Sequence, residues 1–468
     1  MITKNRGMLL GILLTIIFLT TSVMPAPIHA SEEPAQPQNK PLSREQLAYV
    51  LGVQAYIYGY PLVVMQATKA GSLQLAAPIN QFYYTENLAT PDFRGVVSPN
   101  TDTLYFAAWL NLSKAPVTLH VPSDPTNRYY TVQMLDLYTN TLQNVSVRST
   151  QQQKNDYVIV GPTWKGSLPA TASTIKAPTN TVWLIGRVGV NGPDDLADAI
   201  RLEKQFTLES PSEAAPQKPQ VSLSPTLYQD ILQSPLAFFT VMTEAMKKNP
   251  PPQADSVLLN QFAPIGIVPG KGLDLKKWDA PTIAGLKRAM KDAPSIIADS
   301  GPLFGETING WARDLSIGTY GDRFLQRAYI AYSLLGANVP SEEIYARTFV
   351  DESNAQLNGA NRYVLHFDAK QLPKVDAFWS VTLYGDDFFL VPNSIGRYSL
   401  GSLTKGLRYN DDGSLDFYIQ QTPPKGNESN WLPAPKGTFN LMLRMFEPKP
   451  DMLEGRYQIP PVRKLDSE

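Results

Sequence analysis

Chemistry in this chain has to rest on carboxylates, arginines, tyrosines and lysines, because the sequence holds no cysteine and only three histidines. Beyond the N-terminal apolar run only His120 and His366 remain, in different segments, so neither a three-histidine zinc site nor a two-histidine helix motif can be assembled. His366 and Asp368 share a strand face by the i, i+2 rule, as an acid–base pair or as an ordinary surface hydrogen bond. The polar cluster Asn100-Thr101-Asp102-Thr103 stands immediately before an aromatic run. Asp102 is the candidate catalytic acceptor or general base there, with Asn100, Arg128 and Asp136 as candidate binding residues around it. The same four residues also read as an Asx or Ser/Thr turn that starts a strand. Farther along, Trp379, Tyr384, Arg397, Tyr398, Trp431 and Arg444 combine aromatic faces with fixed cations. Tyr384, Arg397 and Tyr398 are the candidate binding residues of this group, since rings stack on glycans and guanidinium forks hold carboxylates. In the alternative, Trp379 and Trp431 anchor a core and the arginines close ion pairs at sheet edges.

Other chemistries fail on their motifs. Gly266-Ile267-Val268-Pro269-Gly270-Lys271-Gly272 is one residue short of a phosphate loop and has glycine where Ser or Thr would hold magnesium. There is no Gly-x-Ser-x-Gly, and the Ser-x-x-Lys matches at Ser173 and Ser402 lack the partner motifs of serine acyl-enzymes. Asn410-Asp411-Asp412-Gly413 has neither the alternation nor the closing glutamate of a calcium loop. No cofactor and no metal site is expected.

The elements that must position these residues are numerous, for 468 residues exceed one ordinary core. With 18% charged residues, 43% hydrophobic residues and a net charge of -1, the chain is globular and offers no field for nucleic acid or anionic lipid. Lys4 and Arg6, an apolar run from Met8 to Met24 and small residues up to Ala30 have the layout of a secretory leader, with cleavage expected between Ala30 and Ser31. The expected product is periplasmic or secreted, with no stable membrane anchor after processing; a retained anchor is the alternative. Residues 31–42 read as a tether.

Residues 43–192 open with a helix, capped by Ser43 and Gln46 and kinked or ended at Pro61. Period-two runs follow at 104–106, 117–121, 129–138, 157–160 and 182–190, the pattern of an antiparallel sandwich. Residues 193–338 read as helical, with helices expected over 194–209, 225–248, 281–298 and 322–335 around a polar link at 210–220. From 339 to 468 strands return, at 363–367, 378–384, 388–391, 407–409, 415–420 and 439–446, with an Asp412-Gly413 pair suited to a tight hairpin.

These residues also carry a resemblance that covers nearly all of the chain beyond the leader. Tyr58-Gly59-Tyr60-Pro61-Leu62, Ser98-Pro99-Asn100-Thr101-Asp102-Thr103-Leu104-Tyr105 and Arg128-Tyr129-Tyr130 through Asp136 form its N-terminal part. Phe378-Trp379-Ser380-Val381-Thr382-Leu383-Tyr384, Asn393, Arg397-Tyr398-Ser399, Asp412-Gly413-Ser414-Leu415 and Asn430-Trp431-Leu432-Pro433-Ala434-Pro435 form its C-terminal part. The chain resembles bacterial proteins that pair the domains of unknown function 1254 and 1214. That resemblance implies a mainly β protein with a helical insert: an immunoglobulin-like sandwich, a helical segment and a jelly-roll-like C-terminal sandwich. It implies no activity and transfers no catalytic residue.

The functional expectation is an exported protein that binds or processes a small polar organic molecule or glycan in the cleft between its two β-sandwich domains, with a homo-oligomer compatible with the sequence. If it is an enzyme, it is a carboxylate-based hydrolase or lyase. The alternative is a non-catalytic envelope or assembly module. Intact-mass analysis of the exported product is expected to show Ser31 as its first residue; an unprocessed chain held in the inner membrane would refute the leader.

Overall fold

The computed structural model describes residues 41–75, 77–168, 172–211 and 231–466. The leader, the Ala30–Ser31 junction, most of the tether and the polar link lie outside them. The first helix spans Pro41–Leu75, so Ser43 sits inside its first turn instead of capping it, and the helix does not end at Pro61 but continues past it. Proline at that place forfeits a backbone hydrogen bond, a loss of about 3 kcal/mol. Tyr58, Leu62, Val63 and Met65 around it are fully buried, however, and at about 1.5–3 kcal/mol per large side chain their packing outweighs the loss. The helix is long and apolar enough to cross a membrane, yet 67% of its apolar window is buried inside the protein, as in a core helix.

That helix packs against Pro235–Lys248, Ala280–Asp299 and Phe324–Ser333. The helices that lie between the two β parts of the chain therefore pack with the N-terminal helix. Together they form a layer on one face of a five-stranded antiparallel sheet ordered Tyr83–Tyr84, Thr103–Asn111, Thr181–Gly189, Tyr130–Asp136, Thr141–Ser146. Trp109, Leu135, Trp183 and Ile185 join the helical core, while Phe106, Val132 and Leu184 pack the opposite face. On that opposite face lies a four-stranded sheet, Ser173–Lys176, Asn155–Val160, Val117–Val121, Thr207–Glu209. All nine residues of Thr181–Gly189 are buried because both faces of the strand are covered.

The C-terminal half repeats the layering. A six-stranded antiparallel sheet runs Glu306–Ile308, Trp311–Arg313, Glu343–Thr348, Phe439–Phe446, Trp379–Gly385, Ser399–Gly401. It faces a four-stranded sheet of Trp431–Pro433, Leu415–Gln420, Tyr363–Phe367 and Val462–Lys464 across a core that includes Ile344, Phe367, Val381, Phe417 and Leu443. Period-two alternation then places Glu343, Tyr345 and Arg347, Ser380, Thr382 and Tyr384, and Met442 and Arg444 on the other face of the six-stranded sheet.

Several local expectations change. The segment expected as a helix over 194–209 is a helix only over Leu196–Glu203; Thr207–Glu209 then turns back as an edge strand on Val117–Val121, with Thr118 opposite Glu209. Residues 388–391 are not a strand: Phe388 takes a left-handed φ of 62°, its N–H donates to the Gly385 carbonyl and its own carbonyl accepts the Ser98 N–H at 2.8 Å. Residues 407–409 are held instead by Asn430, which accepts from the Arg408 N–H and donates to the Arg408 carbonyl at 2.7 Å. The Asp412-Gly413 turn forms, with Gly413 at φ 82°, but no strand precedes it to complete a hairpin.

A close helix crossing rests on Gly285. A Cβ there would lie 2.3 Å from the Glu45 carbonyl oxygen and 2.8 Å from the Ala48 Cβ. Gly285→Ala is therefore expected to lower the unfolding midpoint, by about 1–3 kcal/mol of overpacking, although alanine favours a helix by about 1 kcal/mol over glycine. Urea denaturation decides the sign, and a stabilised variant would contradict this packing.

Candidate functional site

Where the outer face of the six-stranded sheet meets the face of the five-stranded sheet that carries Trp183 and Ile185, a cavity of about 540 Å³ remains. Four parts enclose it. Tyr105, Trp183, Ile185 and Arg187 come from the five-stranded sheet, Glu343, Tyr345 and Arg444 from the six-stranded sheet, and the segment from Asn87 to Asn100 closes it as a strap. Leu334 to Ala337, just after the last helix of the helical layer, complete the wall.

The strand registers build the polar end. Arg187 lies opposite Tyr105 on one neighbouring strand and Thr131 on the other. Arg444 lies opposite Tyr345 on one side and Ser380 on the other. Both arginines are buried, at 5% and 2% exposure, as is Glu343 at 1%. Arg187 donates to Gln133 Oε1 at 3.0 Å and to the Gly336 carbonyl at 2.9 Å, and its guanidinium lies 5.5 Å from the Tyr105 ring centre. Arg444 donates to the Tyr384 hydroxyl at 2.8 Å, to Thr382 at 3.2 Å and to the Ser98 carbonyl at 2.7 Å. Glu343 stands 3.7 Å from Arg444 Nε and accepts the Tyr345 hydroxyl at 2.7 Å. Burial raises the Glu343 pKa above the ordinary carboxylate value, with Arg187 and Arg444 pulling it back. Arg347 lies beside them, donating to the Ser98 hydroxyl and covered by the Phe388 ring at 4.6 Å; burial lowers its pKa to about 10.

Family comparison divides the cavity along the same seam. The model of the family described as protein of unknown function DUF1254 matches residues 79–210, and that of DUF1214 matches residues 342–450. The chain pairs a DUF1254 region with a DUF1214 region, in that order. The DUF1254 region supplies the strap, Tyr105 and Arg187, and the DUF1214 region supplies Glu343, Tyr345 and Arg444. A crystal structure of the VPA0106 protein from Vibrio parahaemolyticus is similar over 90% of this chain and 100% of that one, with 23% identity and a TM-score of 0.66, a likeness of fold. A crystal structure of an uncharacterized protein from Burkholderia cenocepacia covers 91% of this chain and 96% of its own at 14% identity and a TM-score of 0.45. No curated protein matches the chain.

The residues singled out in the sequence divide into two sets. Asn100 lines the cavity, and its side-chain oxygen accepts the Asp102 N–H at 2.7 Å in the Asx turn that starts the strand of the DUF1254 region. Asp102 lies behind the lining, where its carboxylate accepts the hydroxyls of Ser380 at 2.6 Å and Ser399 at 2.9 Å across the seam; burial raises its pKa. Tyr384 is fully buried between Arg444 and the Pro99 carbonyl, to which its hydroxyl donates at 2.7 Å, and Tyr398 packs beside it with Ala89 of the strap. The other three lie elsewhere. Arg128 forms a two-pronged ion pair with Asp195 and donates to the Gly189 carbonyl at 2.8 Å, lining a separate polar pocket of about 430 Å³. Asp136 closes its own turn, accepting the Asn140 N–H at 2.9 Å, with its pKa lifted to about 6 by burial. Arg397 donates to the carbonyls of Glu428 and Trp431, both at 2.8 Å. His366 does meet Asp368, at 3.2 Å, and Asp416 more closely at 2.6 Å, on the four-stranded sheet away from the cavity.

Arg187, Glu343 and Tyr345 went unread in the sequence. The signal was a single charge inside an apolar strand, as in Val182-Trp183-Leu184-Ile185-Gly186-Arg187-Val188, where both faces are covered and every ion needs a reason.

Arg397 tests the structural half of this division. Both bonds come from Nη1, so Arg397→Lys keeps the charge but must reach the two carbonyls with a shorter side chain, and is expected to lower stability by about 1–2 kcal/mol. A midpoint equal to that of the parent chain in urea unfolding would show that these two bonds contribute nothing there.

Proposed function

We propose that this protein binds a small organic molecule, mainly apolar with one polar end, in the cavity between its DUF1254 and DUF1214 regions. The observation that carries this is the combination of a roughly 540 Å³ enclosure with a wall of Leu88, Ala89, Val97, Ile185 and Leu334 and a fully buried charged end. Cavities of about 300–1,000 Å³ with apolar walls and a few fixed polar groups are the usual form of small-molecule sites. A glycan fits these walls less well, because its hydroxyls need donors and acceptors along the whole length and not at one end.

The reading is one of binding in an exported protein, with the leader as the support for export. A reaction at this site would fall to Glu343, the buried carboxyl whose partner Tyr345 lines the same wall. The assembly reading keeps the support of Arg128 and Arg397, whose guanidinium groups are held by internal partners. The layered pairs of sheets support, by their order, an immunoglobulin-like sandwich in the first half and a jelly-roll-like one in the second.

Ala89 belongs to the strap and lines the cavity, so Ala89→Trp is expected to fill it. A neutral fluorescent naphthylamine should bind the parent chain with a saturable signal and raise its melting temperature by mass action. The variant should lose both effects while keeping its far-ultraviolet circular dichroism. Equal titrations of the two proteins would place the probe elsewhere and defeat the reading.

A further inference from the structure

The charges on the cavity wall do not cancel. Among the described residues three charged side chains line it, the cations Arg187 and Arg444 and the carboxylate Glu343. With Glu343 ionised the wall carries one positive charge in excess, and with Glu343 protonated it carries two. Behind the wall, Arg347 and Asp102 add one charge of each sign and leave the excess unchanged. An uncompensated buried cation is costly unless something of opposite charge sits against it.

Donors are left over in the same place. Arg187 uses two of the five N–H groups of a guanidinium, on Gln133 and Gly336. Arg444 uses three, on Thr382, Tyr384 and Ser98, and its Nε stands 3.7 Å from Glu343, beyond hydrogen-bond distance. The unused donors belong to two side chains that lie on facing layers and line one cavity. Their own partners fix both, so little ordering remains when a ligand arrives.

We infer that the polar end of the ligand is a monocarboxylate, seated between Arg187 and Arg444, with an alkyl or aryl body against Leu88, Ala89, Ile185 and Leu334. This deepens the reading of the cavity as a small-molecule site and rests on it. A single negative charge neutralises the wall, and a planar carboxylate matches the fork of a guanidinium. A phosphate dianion would reverse the excess, and an ammonium group would add to it. Glu343 then takes a selective role, since it lowers the excess to the one charge that a monoanion can cancel.

The test compares head groups on one body. Decanoate, decan-1-ol, decylamine and decyl phosphate are titrated calorimetrically into the parent chain, with displacement of the neutral naphthylamine as a second readout. Decanoate is expected to bind at least about tenfold more tightly than decan-1-ol, the difference that one charge-assisted hydrogen bond supplies. Arg187→Gln should remove that preference, read as the ratio of acid to alcohol affinity within the same variant; if the variant unfolds, Arg187→Lys takes its place and should retain only part of it. Equal binding of acid and alcohol, or tighter binding of the amine or the phosphate, overturns the carboxylate while the cavity reading stands. Failure of all four to bind or to displace the naphthylamine overturns the cavity reading, and the carboxylate with it.

Discussion

Buried charge holds this molecule's two β halves together. Arg444, on the six-stranded sheet, cannot be buried unless its donors are met, and one of the acceptors is the Ser98 carbonyl of the other half. Tyr384 reaches the Pro99 carbonyl, and Asp102 takes the hydroxyls of Ser380 and Ser399. Arg187 binds the Gly336 carbonyl, on the segment that follows the last helix of the helical layer. Apolar contact alone would let the layers slide, because dispersion and hydrophobic burial are not directional. The bonds of Arg444, Tyr384 and Asp102 have direction and cross the seam, so they set the register in which the two sheets face each other and the shape of the space left between them.

The helical layer supplies the other boundary. Trp109 and Trp183 stack with ring centres 5.1 Å apart and 1° between planes, on the face of the five-stranded sheet that the helices cover. Trp183 and Ile185 are shared between that core and the cavity wall. The first helix must therefore pack closely on its neighbours for the wall to stay in place, and glycines at the crossings permit it: Gly52 against Leu286 and Ala289, Gly59 against Met242, and Gly285 against the backbone of the first helix. The Tyr58-Gly59-Tyr60-Pro61 motif belongs to this support and not to the cavity itself. Its Tyr58 donates to Asp255 at 2.8 Å and lies 5.0 Å from the buried guanidinium of Arg327.

What the sequence made legible followed its local periodicities. Strands such as Val117–Val121 and Thr181–Gly189, and the helix Ala280–Asp299, are placed within a residue or so by alternation and capping, since those signals are local. The 388–391 segment was misread because a distant contact overrides local preference there, Ser98 holding Phe388 in a turn; at Pro61, read as a kink or an end, burial carries the helix past the proline. The site was half legible. Asn100, Asp102 and Tyr384 stand in motifs dense enough to notice, and they lie at the seam. Arg128, Asp136 and Arg397 are of the same types, but their partners, Asp195, Asn140 and the carbonyls near Trp431, are nearby in space in ways that residue type does not reveal. Arg187 and Glu343 needed the pairing of two sheets from opposite halves of the chain, a relation of high sequence separation that no local pattern encodes.

The strap from Asn87 to Asn100 is fastened unequally. At its base Ser98 and Pro99 are gripped by Arg444, Arg347, Phe388 and Tyr384, deep in the protein. Near its middle Arg94 pairs with Asp387 at the surface, both side chains more than half exposed, and rests 4.7 Å over the Phe389 ring. An ion pair in that setting contributes about 0–1 kcal/mol and weakens as salt screens it. The two ends of one segment are thereby held by interactions of different kind. Ionic strength acts on the outer fastening, where mobile ions screen the pair. The buried end is shielded from those ions and keeps its hold whatever the salt concentration.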